Sequence, residues 1–366
     1  MKKSILVIAV MAMCSPAYAQ LGGLGGALRK AQQVQDTKKK IDDLTFTEDE
    51  EQTIGSDVSL KVRQRFGVVQ DPAVHKYVSL VGTTLAKASD RPDLPWTFIV
   101  LDTDGVNAFA SPGGFVHITR GALGLISNEA ELAGVLGHEI GHVVRKHTLN
   151  ALRKNSAVSL GASAASSRSS LLASVGSRVY ENVLENAYDR GDELDADRLG
   201  VELPAKVGYK ADSIGTFLQR LDDRNKDQAE KNGLFASHPD TKERIDKIKS
   251  QSASLKASAT VEPRYKSNIK YEVPALTAIA VVADGASGLA GSTKPAEKQE
   301  EPKKKGFGLG SLKQTVAPEK QSSQVSASGG ARGVGPDRAA KGGSNPALVK
   351  TAVSVAELGE FKKGIA

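Results

Sequence analysis

The motif H-E-x-x-H, which runs from His138 to His142, constrains this chain of 366 residues more than any other feature. It lies in a run of apolar residues at helical spacing, and residues i and i+4 of a helix face the same way with Cβ atoms about 6 Å apart. Two imidazoles placed in this way can bind one Zn²⁺ at about 2.0–2.1 Å. Glu139 lies one position round the helix, where its carboxylate would reach a water molecule at the metal rather than the metal itself.

A pair of core or surface histidines is the alternative interpretation of His138 and His142. The flanking sequence disfavours it, because apolar residues on both sides predict a buried helix: Leu132, Val135, Leu136, Val143 and Val144. Ionisable groups on a buried helix are costly unless they are paired or bind a metal. The motif therefore predicts a metal site.

The residues after the motif exclude the metzincin class of zinc proteases. A catalytic zinc needs a third protein ligand and an open position, and metzincins place a third His ten residues after the first, with a Gly between. Here Arg145 replaces that Gly, and His147 lies nine residues on, about 180° round a continuous helix from His138. Metzincins also have a Met-containing turn after this motif. All Met residues of this chain lie in its first 13 positions, so such a turn is impossible here. We interpret His147 as structural or exposed.

A second acidic motif, Asp192–Asp197, contains the better candidate for a third ligand. Glu193 and Asp197 are four residues apart and share one helical face, so Glu193 could be the ligand and Asp197 could fix the tautomer of a ligand His. A solvated acidic helix face is the alternative. Leu194 and Leu199 favour a helix that packs against another element.

The ordered motifs resemble those of the HtpX-like zinc metallopeptidases, whose relatives include the CAAX prenyl proteases and a soluble, secreted bacterial branch. The motifs are H-E-x-x-H, an E-x-x-A-D at Glu193–Asp197, and an upstream N-A-F-A-S-P-G-G-F at Asn107–Phe115. The resemblance extends from about Thr45 to Ser250. Membrane-embedded relatives carry transmembrane helices beside the catalytic helix, and none is seen in this sequence, so the chain resembles a soluble member.

The resemblance implies one Zn²⁺ per chain, bound by His138, His142 and Glu193. It also implies that Glu139 is the general base and that Asp197 supports the site.

The resemblance extends to the end of the domain with one local departure. His238, in Ser237-His238-Pro239 and followed by Arg244, resembles a motif of the soluble branch, whose His lies near the metal and either stabilises the oxyanion or occupies the open position. The departure is Tyr188–Gly191, which reads Tyr-Asp-Arg-Gly where relatives often have Tyr-Ser-Arg before the third ligand.

The upstream motif predicts a strand that could hold substrate. Pro112–Gly114 is a predicted turn and Phe115–Thr119 a predicted strand, so Asn107, Ala108, Phe109 and Ala110 would form an edge strand beside the site. Such an edge can bind an extended peptide through its backbone. An ordinary hairpin is the alternative, and we interpret His117 and His75 as structural.

The N-terminus is typical of a cleaved secretory signal peptide, residues 1–19. Lys2 and Lys3 precede the apolar run 5–13, and an A-x-A site follows at 17–19. A membrane anchor would need about 20 apolar residues, and Met13 is a poor neighbour for lipid attachment at Cys14. Cleavage removes the only cysteine, which excludes thiol catalysis and suits an oxidising compartment. We predict a periplasmic protein.

Composition divides the rest of the chain into three segments. Residues 20–44 are a Gly-rich and then charged segment, residues 45–250 the metallopeptidase domain, and residues 251–366 a low-complexity tail that we expect to be disordered. The chain has a net charge of +7, but the tail alone carries 17 basic and 10 acidic residues. The domain is therefore close to neutral, and we exclude nucleic acid as a partner. The basic tail predicts peripheral contact with a membrane or the cell wall.

Together these features predict an α+β fold, mainly helical and zincin-like, with a small sheet whose edge strand flanks the active site and a disordered C-terminal tail. The resemblance implies a zinc endopeptidase of the bacterial cell envelope that cleaves unfolded or misassembled proteins. One alternative is an envelope chaperone or assembly factor whose zinc site is latent and gated by His238. Another is a scaffold that the basic tail attaches to the wall. The sequence does not indicate an oligomeric state.

Overall fold

Helices make up most of the structure, and a small sheet lies among them. The computed structural model describes residues 45–159, 168–185, 188–225, 241–272 and 345–365. The predicted signal peptide and the segment 20–44 lie outside these residues. Contacts within the chain define one large unit, Phe46–Lys154 with Ala165–Ala366, to which almost all the described residues belong. The second unit, Met1–Thr45 with Asn155–Ala164, lies largely outside them.

The described residues form the following elements in chain order: α1 (Glu48–Phe66), α2 (Pro72–Ala86), β1 (Thr97–Leu101), β2 (Ala108–Ser111), a short 3-10 turn (Pro112–Gly114), β3 (Phe115–Thr119), α3 (Arg120–Leu125), α4 (Glu129–Val144), α5 (His147–Ser159), α6 (Arg168–Glu185), α7 (Arg190–Val207), α8 (Ser213–Asn225), α9 (Thr241–Ser252), α10 (Glu262–Asn268) and α11 (Val355–Lys363).

The sheet has three strands in the order β1-β3-β2. β1 pairs parallel to β3, with Thr97 opposite Phe115. β2 pairs antiparallel to β3, with Ser111 opposite Phe115, so β2 is an edge strand. Every residue of β2 and β3 is buried, because helices cover the sheet. The prediction of a mainly helical α+β fold with a small sheet is confirmed.

The H-E-x-x-H helix, α4, lies at the centre of the domain, and all of its residues are buried. Its start is fixed by the Asn128 side chain, which accepts a hydrogen bond from the Glu131 backbone at 3.0 Å. Such a cap satisfies one of the free N–H groups of the first turn. Within the described residues, no helix is long and apolar enough to cross a lipid bilayer.

The helix that carries the H-E-x-x-H motif ends at Val144, so it does not continue to His147, contrary to what we assumed from the sequence. Lys146 adopts a left-handed conformation with φ 55°, and α5 starts at the next residue, His147. A non-glycine residue in this conformation costs about 1–2 kcal/mol. An ion pair offsets that cost, since Nζ of Lys146 lies 2.9 Å from Oε2 of the buried Glu51 in α1.

The folded domain extends past residue 250, where we had placed its end. α9 continues to Ser252, Tyr209 forms a parallel bridge with Ala259, and α10 packs against α4. Asn345–Ile365, which we call the C-terminal strap, lies on α2 and is extended up to the cap of α11 at Ser354. These two stretches of the predicted tail are therefore folded, because Tyr265 and Phe361 are buried in the core. Residues 273–344 lie outside the described residues.

Gly55 allows α1 to touch the turn that follows β2. A Cβ atom at Gly55 would lie 1.8 Å from the carbonyl oxygen of Pro112. We expect Gly55→Ala to lower the free energy of unfolding by about 1–3 kcal/mol, because either the turn or the helix must move. Urea unfolding followed by circular dichroism measures the change.

Gly359→Ala is the matched control, because no atom lies within 4 Å of a Cβ built at Gly359 in α11. That variant should be neutral or more stable by up to about 1 kcal/mol, the helix preference of Ala over Gly. Equal stability of the two variants would contradict the close contact at Pro112.

Candidate metal centre

Small residues bring α4 and α7 into direct contact. A Cβ atom on Gly141 would lie 3.2 Å from the Cα atom of Ala196, and one on Gly200 would lie 3.1 Å from the carbonyl oxygen of Gly134. Ala196 is the alanine of the E-x-x-A-D motif. Because the helix backbones touch, side chains of α7 can reach the histidines of α4.

The contact brings together the predicted ligands His138, His142 and Glu193. The Nε2 atoms of the two histidines are 3.0 Å apart. Oε2 of Glu193 lies 3.7 Å from Nε2 of His138, and Oε1 lies 3.4 Å from Nε2 of His142. One ligand atom from each residue lies within 4.8 Å of the other two, and all three residues are buried. The predicted triad is therefore assembled in space.

This arrangement fits a bound metal ion. Two imidazole nitrogens and a carboxylate oxygen are the protein ligands of one class of catalytic zinc site, in which a fourth position is left for water or substrate. In the described structure the Nε2 atoms of His138 and His142 lie 3.7 and 3.4 Å from an oxygen of the Glu193 carboxylate. His138, His142 and Glu193 could therefore hold the ion.

Asp197 and Arg244 lie behind two of these residues. Oδ1 of Asp197 is 2.9 Å from Nδ1 of His138, so the ring can keep its proton on Nδ1 and present Nε2. Arg244 of α9 donates to both oxygens of Asp197, at 2.8 and 2.7 Å, and its Nη1 lies 2.9 Å from Oε2 of Glu193. Burial would raise the pKa of Asp197, but Arg244 and His138 outweigh it and hold that pKa at about 2.

His147 also belongs to the site, contrary to our interpretation of it as structural or exposed. Its Nδ1 lies 3.0 Å from Nδ1 of His142, and it is buried. Burial lowers the pKa of His147 despite the opposing charges of Asp192 and Asp195, so the neutral ring can accept a hydrogen bond from the Nδ1–H of His142. His147 would face away from His138 only on one continuous helix. The break at Lys146 turns His147 back toward the metal ligands.

Tyr188 is a second residue that the sequence did not assign. Its ring stacks on the imidazole of His142 with centroids 4.0 Å apart, and its hydroxyl lies 2.8 Å from Oγ1 of Thr148. Burial and the nearby carboxylates raise its pKa, so the hydroxyl stays neutral. Asp189 caps α7 by accepting from the backbone of Asp192 at 2.9 Å. Serine, which relatives often have at this position, can cap a helix in the same way.

The predicted substrate strand lies beside the ligand helix. β2 covers Ala108–Ser111, so Asn107 precedes the strand, held by a hydrogen bond from the Thr119 backbone to its carbonyl. Ala108, Phe109 and Ala110 are each at most 2% exposed as whole residues, and α6 contacts β2, so the edge of the sheet is covered in this structure. A cavity of about 10 Å³ is lined by Ala110 and Ser111 on one side and by His142 on the other.

The remaining residues singled out in the sequence are Glu139 and three further histidines. Glu139 is 1% exposed and lies on α4 between the two ligand histidines. His238 lies outside the described residues. His117 and His75, interpreted as structural, are buried, with Nε2 3.0 Å from Oγ of Ser59 and 2.8 Å from the carbonyl of Val69 respectively. Burial lowers the pKa of His117 to about 3, so it is neutral.

Comparison with known proteins gives the following matches. The family model described as peptidase family M48 matches residues 72–252. The beta-barrel assembly-enhancing protease of Yersinia pestis is 25% identical over 226 residues, 59% of this chain and 46% of that protein. The mitochondrial metalloendopeptidase OMA1 of Schizosaccharomyces pombe is 27% identical over 214 residues, 58% of this chain and 63% of that protein.

The metalloprotease YcaL of Escherichia coli is 30% identical over 166 residues, 44% of this chain and 64% of that protein. The chain spans about half the length of the beta-barrel assembly-enhancing proteases that it matches.

We expect His147→Ala to weaken metal binding, because His142 would lose the partner that holds its Nδ1 proton. Loss of such a partner typically costs 10–100-fold in affinity. Competition with a chromophoric chelator, using Zn²⁺, measures the affinity. His147→Asn keeps an acceptor oxygen and should recover part of it.

His75→Asn is the control for that experiment, since His75 is equally buried but bonds to Val69, away from the ligands. It should lower stability and leave zinc affinity unchanged. If His147→Ala binds Zn²⁺ as tightly as wild type, the contact with His142 does not position the ligand.

Proposed function

We propose that the protein is a zinc-dependent endopeptidase, in keeping with the match of residues 72–252 to the model of peptidase family M48. The observation that carries the proposal is the convergence of His138, His142 and Glu193 on one buried point, with Glu139 on the same helix. Two imidazoles and a carboxylate suit Zn²⁺ better than Mg²⁺ or Ca²⁺, which prefer oxygen ligands. One ion per chain is expected.

The side chains have distinct roles in the proposed reaction. His138 and His142 would hold zinc through Nε2, while Asp197 and His147 keep a proton on each Nδ1. When bound, zinc supplies a Lewis acid for the scissile carbonyl and lowers the pKa of a nearby water. Glu139 takes the proton of the attacking water and passes it to the leaving amine.

The substrate is proposed to be an extended, unfolded or misassembled protein. The position of β2 at the edge of the sheet and the small cavity that it lines together with His142 support this. Because β2 is buried, a peptide would pair with it only after the covering helix α6 moves. Backbone pairing gives little preference for particular side chains, which suits a protease that removes damaged proteins. His238 is proposed to stabilise the oxyanion of the reaction.

The location is proposed to be the bacterial periplasm, with residues 1–19 as a cleaved signal peptide. The names of the bacterial relatives, beta-barrel assembly-enhancing proteases, support a role in envelope protein quality control. We further propose that the chain belongs to the soluble, secreted branch related to the HtpX-like and CAAX prenyl proteases. Basic residues of the segment 251–366 would add peripheral contact with the membrane or wall.

Glu139→Gln tests the proposed reaction. The variant keeps the shape of the site but removes the base, so cleavage of unfolded casein should fall by at least about 100-fold. Zinc content, measured by metal analysis, should stay at one ion per chain. A chelator should abolish wild-type cleavage, and added Zn²⁺ should restore it. Cleavage by Glu139→Gln at the wild-type rate would contradict the assignment.

An envelope chaperone or assembly factor is the second candidate, supported by the words assembly-enhancing in the names of relatives. In that case His238 would occupy the open position and keep the zinc site latent. His238→Ala separates the candidates in the same casein assay. A loss of cleavage supports the catalytic role of His238, whereas a gain supports gating.

A further inference from the structure

The C-terminal strap, Asn345–Ile365, contacts the domain at points spread along its whole length. Near its start, Val68 donates its backbone N–H to the carbonyl of Asn345 at 2.9 Å, and Gln70 donates its side-chain amide to the carbonyl of Ala347 at 3.2 Å. In both contacts a backbone carbonyl of the strap accepts the hydrogen bond. The strap is therefore held as a peptide ligand is, through its main chain.

The middle of the strap is anchored to α2. The hydroxyl of Thr351 lies 3.0 Å from that of Ser79. Lys76 donates to the carbonyl of Ala352 and also forms an ion pair with Glu357, with Nζ and Oε1 2.8 Å apart. A cavity of about 530 Å³ lies between this stretch and the segment that contains Trp96, the only tryptophan of the chain. We call the surface formed by α2 and residues 92–98 the α2 groove.

The end of the strap is anchored by Phe361. Its side chain is 8% exposed, and its ring meets that of Tyr77 edge-on with centroids 6.4 Å apart. The guanidinium of Arg264 lies over the ring of Phe361, with Cζ 4.0 Å from the centroid, and it donates to the Phe361 carbonyl at 3.0 Å. A buried aromatic residue with these partners is the strongest single anchor of the segment.

Arg264 connects the strap to the metal-binding helix. Its Nε donates at 2.7 Å to Glu129, the first residue of α4, which is fully buried. Tyr77 also donates to Glu129, at 2.7 Å. Phe361 therefore packs on both Tyr77 and Arg264, which bind the buried Glu129 at the start of α4. Loss of the strap would open that ion pair to water and weaken it.

We propose that the α2 groove is a binding site for the C-terminal strap of the same chain, and that the strap stays bound without its covalent connection through residues 273–344. The bound strap shields the Arg264–Glu129 pair and so orders the first turn of α4. A cut within residues 273–344 would leave a stable complex of two fragments rather than a truncated domain.

The test uses the full chain with a recognition site for a sequence-specific protease inserted between Gly329 and Gly330. After cleavage, the C-terminal fragment should co-elute with the domain in gel filtration at the mass of one chain. The fluorescence of Trp96 should be unchanged, because the strap remains beside it. Amide hydrogen exchange in the first turn of α4 should also stay at its level before cleavage.

Phe361→Ala in the same chain should release the fragment after cleavage, weakening its retention by at least about tenfold. Release should shift the Trp96 emission to the red and speed hydrogen exchange in α10 and the first turn of α4. Val355→Ala is the matched control on the strap, because Val355 is 90% exposed. That variant should retain the fragment as wild type does.

Lys76→Gln provides a second variant on the groove side, should Phe361→Ala melt before cleavage. It removes both contacts of the half-exposed Lys76 and should also weaken retention. Separation of the wild-type fragment on cleavage would overturn the proposal. So would co-elution at the mass of a dimer, which would mean that the strap of a second copy fills the groove.

Discussion

The metal centre depends on the direct contact between the backbones of α4 and α7. Gly141 and Gly200 make it possible, since a Cβ atom at either position would lie 3.2 or 3.1 Å from the facing helix. Gly141 of the motif G-H-E-I-G-H faces Ala196 of the motif E-L-D-A-D, so each motif contributes a small residue to the contact as well as ligands. A larger residue at Gly141 would move the helices apart, and Glu193 could no longer lie 3.4 Å from His142.

Each of the three ligand residues also contacts a second residue, which fixes its orientation. His138 is backed by Asp197, His142 by His147, and Glu193 by Arg244. Buried charges are costly when unpaired, so these partners stabilise the domain as well as orient its ligands. Removing any one of them leaves a buried polar group without its partner. We therefore expect stability and metal affinity to be linked at these positions.

Local sequence patterns predicted the parts of the site that short-range spacing determines. The pairs four residues apart on α4 and α7 were predicted correctly. The match of residues 72–252 to the model of peptidase family M48 agrees with the predicted metallopeptidase, whereas the narrower HtpX-like assignment stays a prediction. His147 was missed because no Gly or Pro marks the helix break at Lys146. The C-terminal strap was not predicted, because the segment after residue 250 was judged by its average composition. A single buried anchor such as Phe361 hardly changes that average.

The helix α4 is held at both of its ends. Glu129 at its start binds Tyr77 and Arg264, and Lys146 just beyond its end binds Glu51. A helix held in this way can neither slide along its axis nor rotate to admit a substrate. β2, in contrast, pairs with a neighbouring strand on one edge only in the described structure. In the proposed protease, adjustment to different peptides would therefore fall on β2 and on α6, which contacts it, so that peptide preference can change while the metal geometry stays constant.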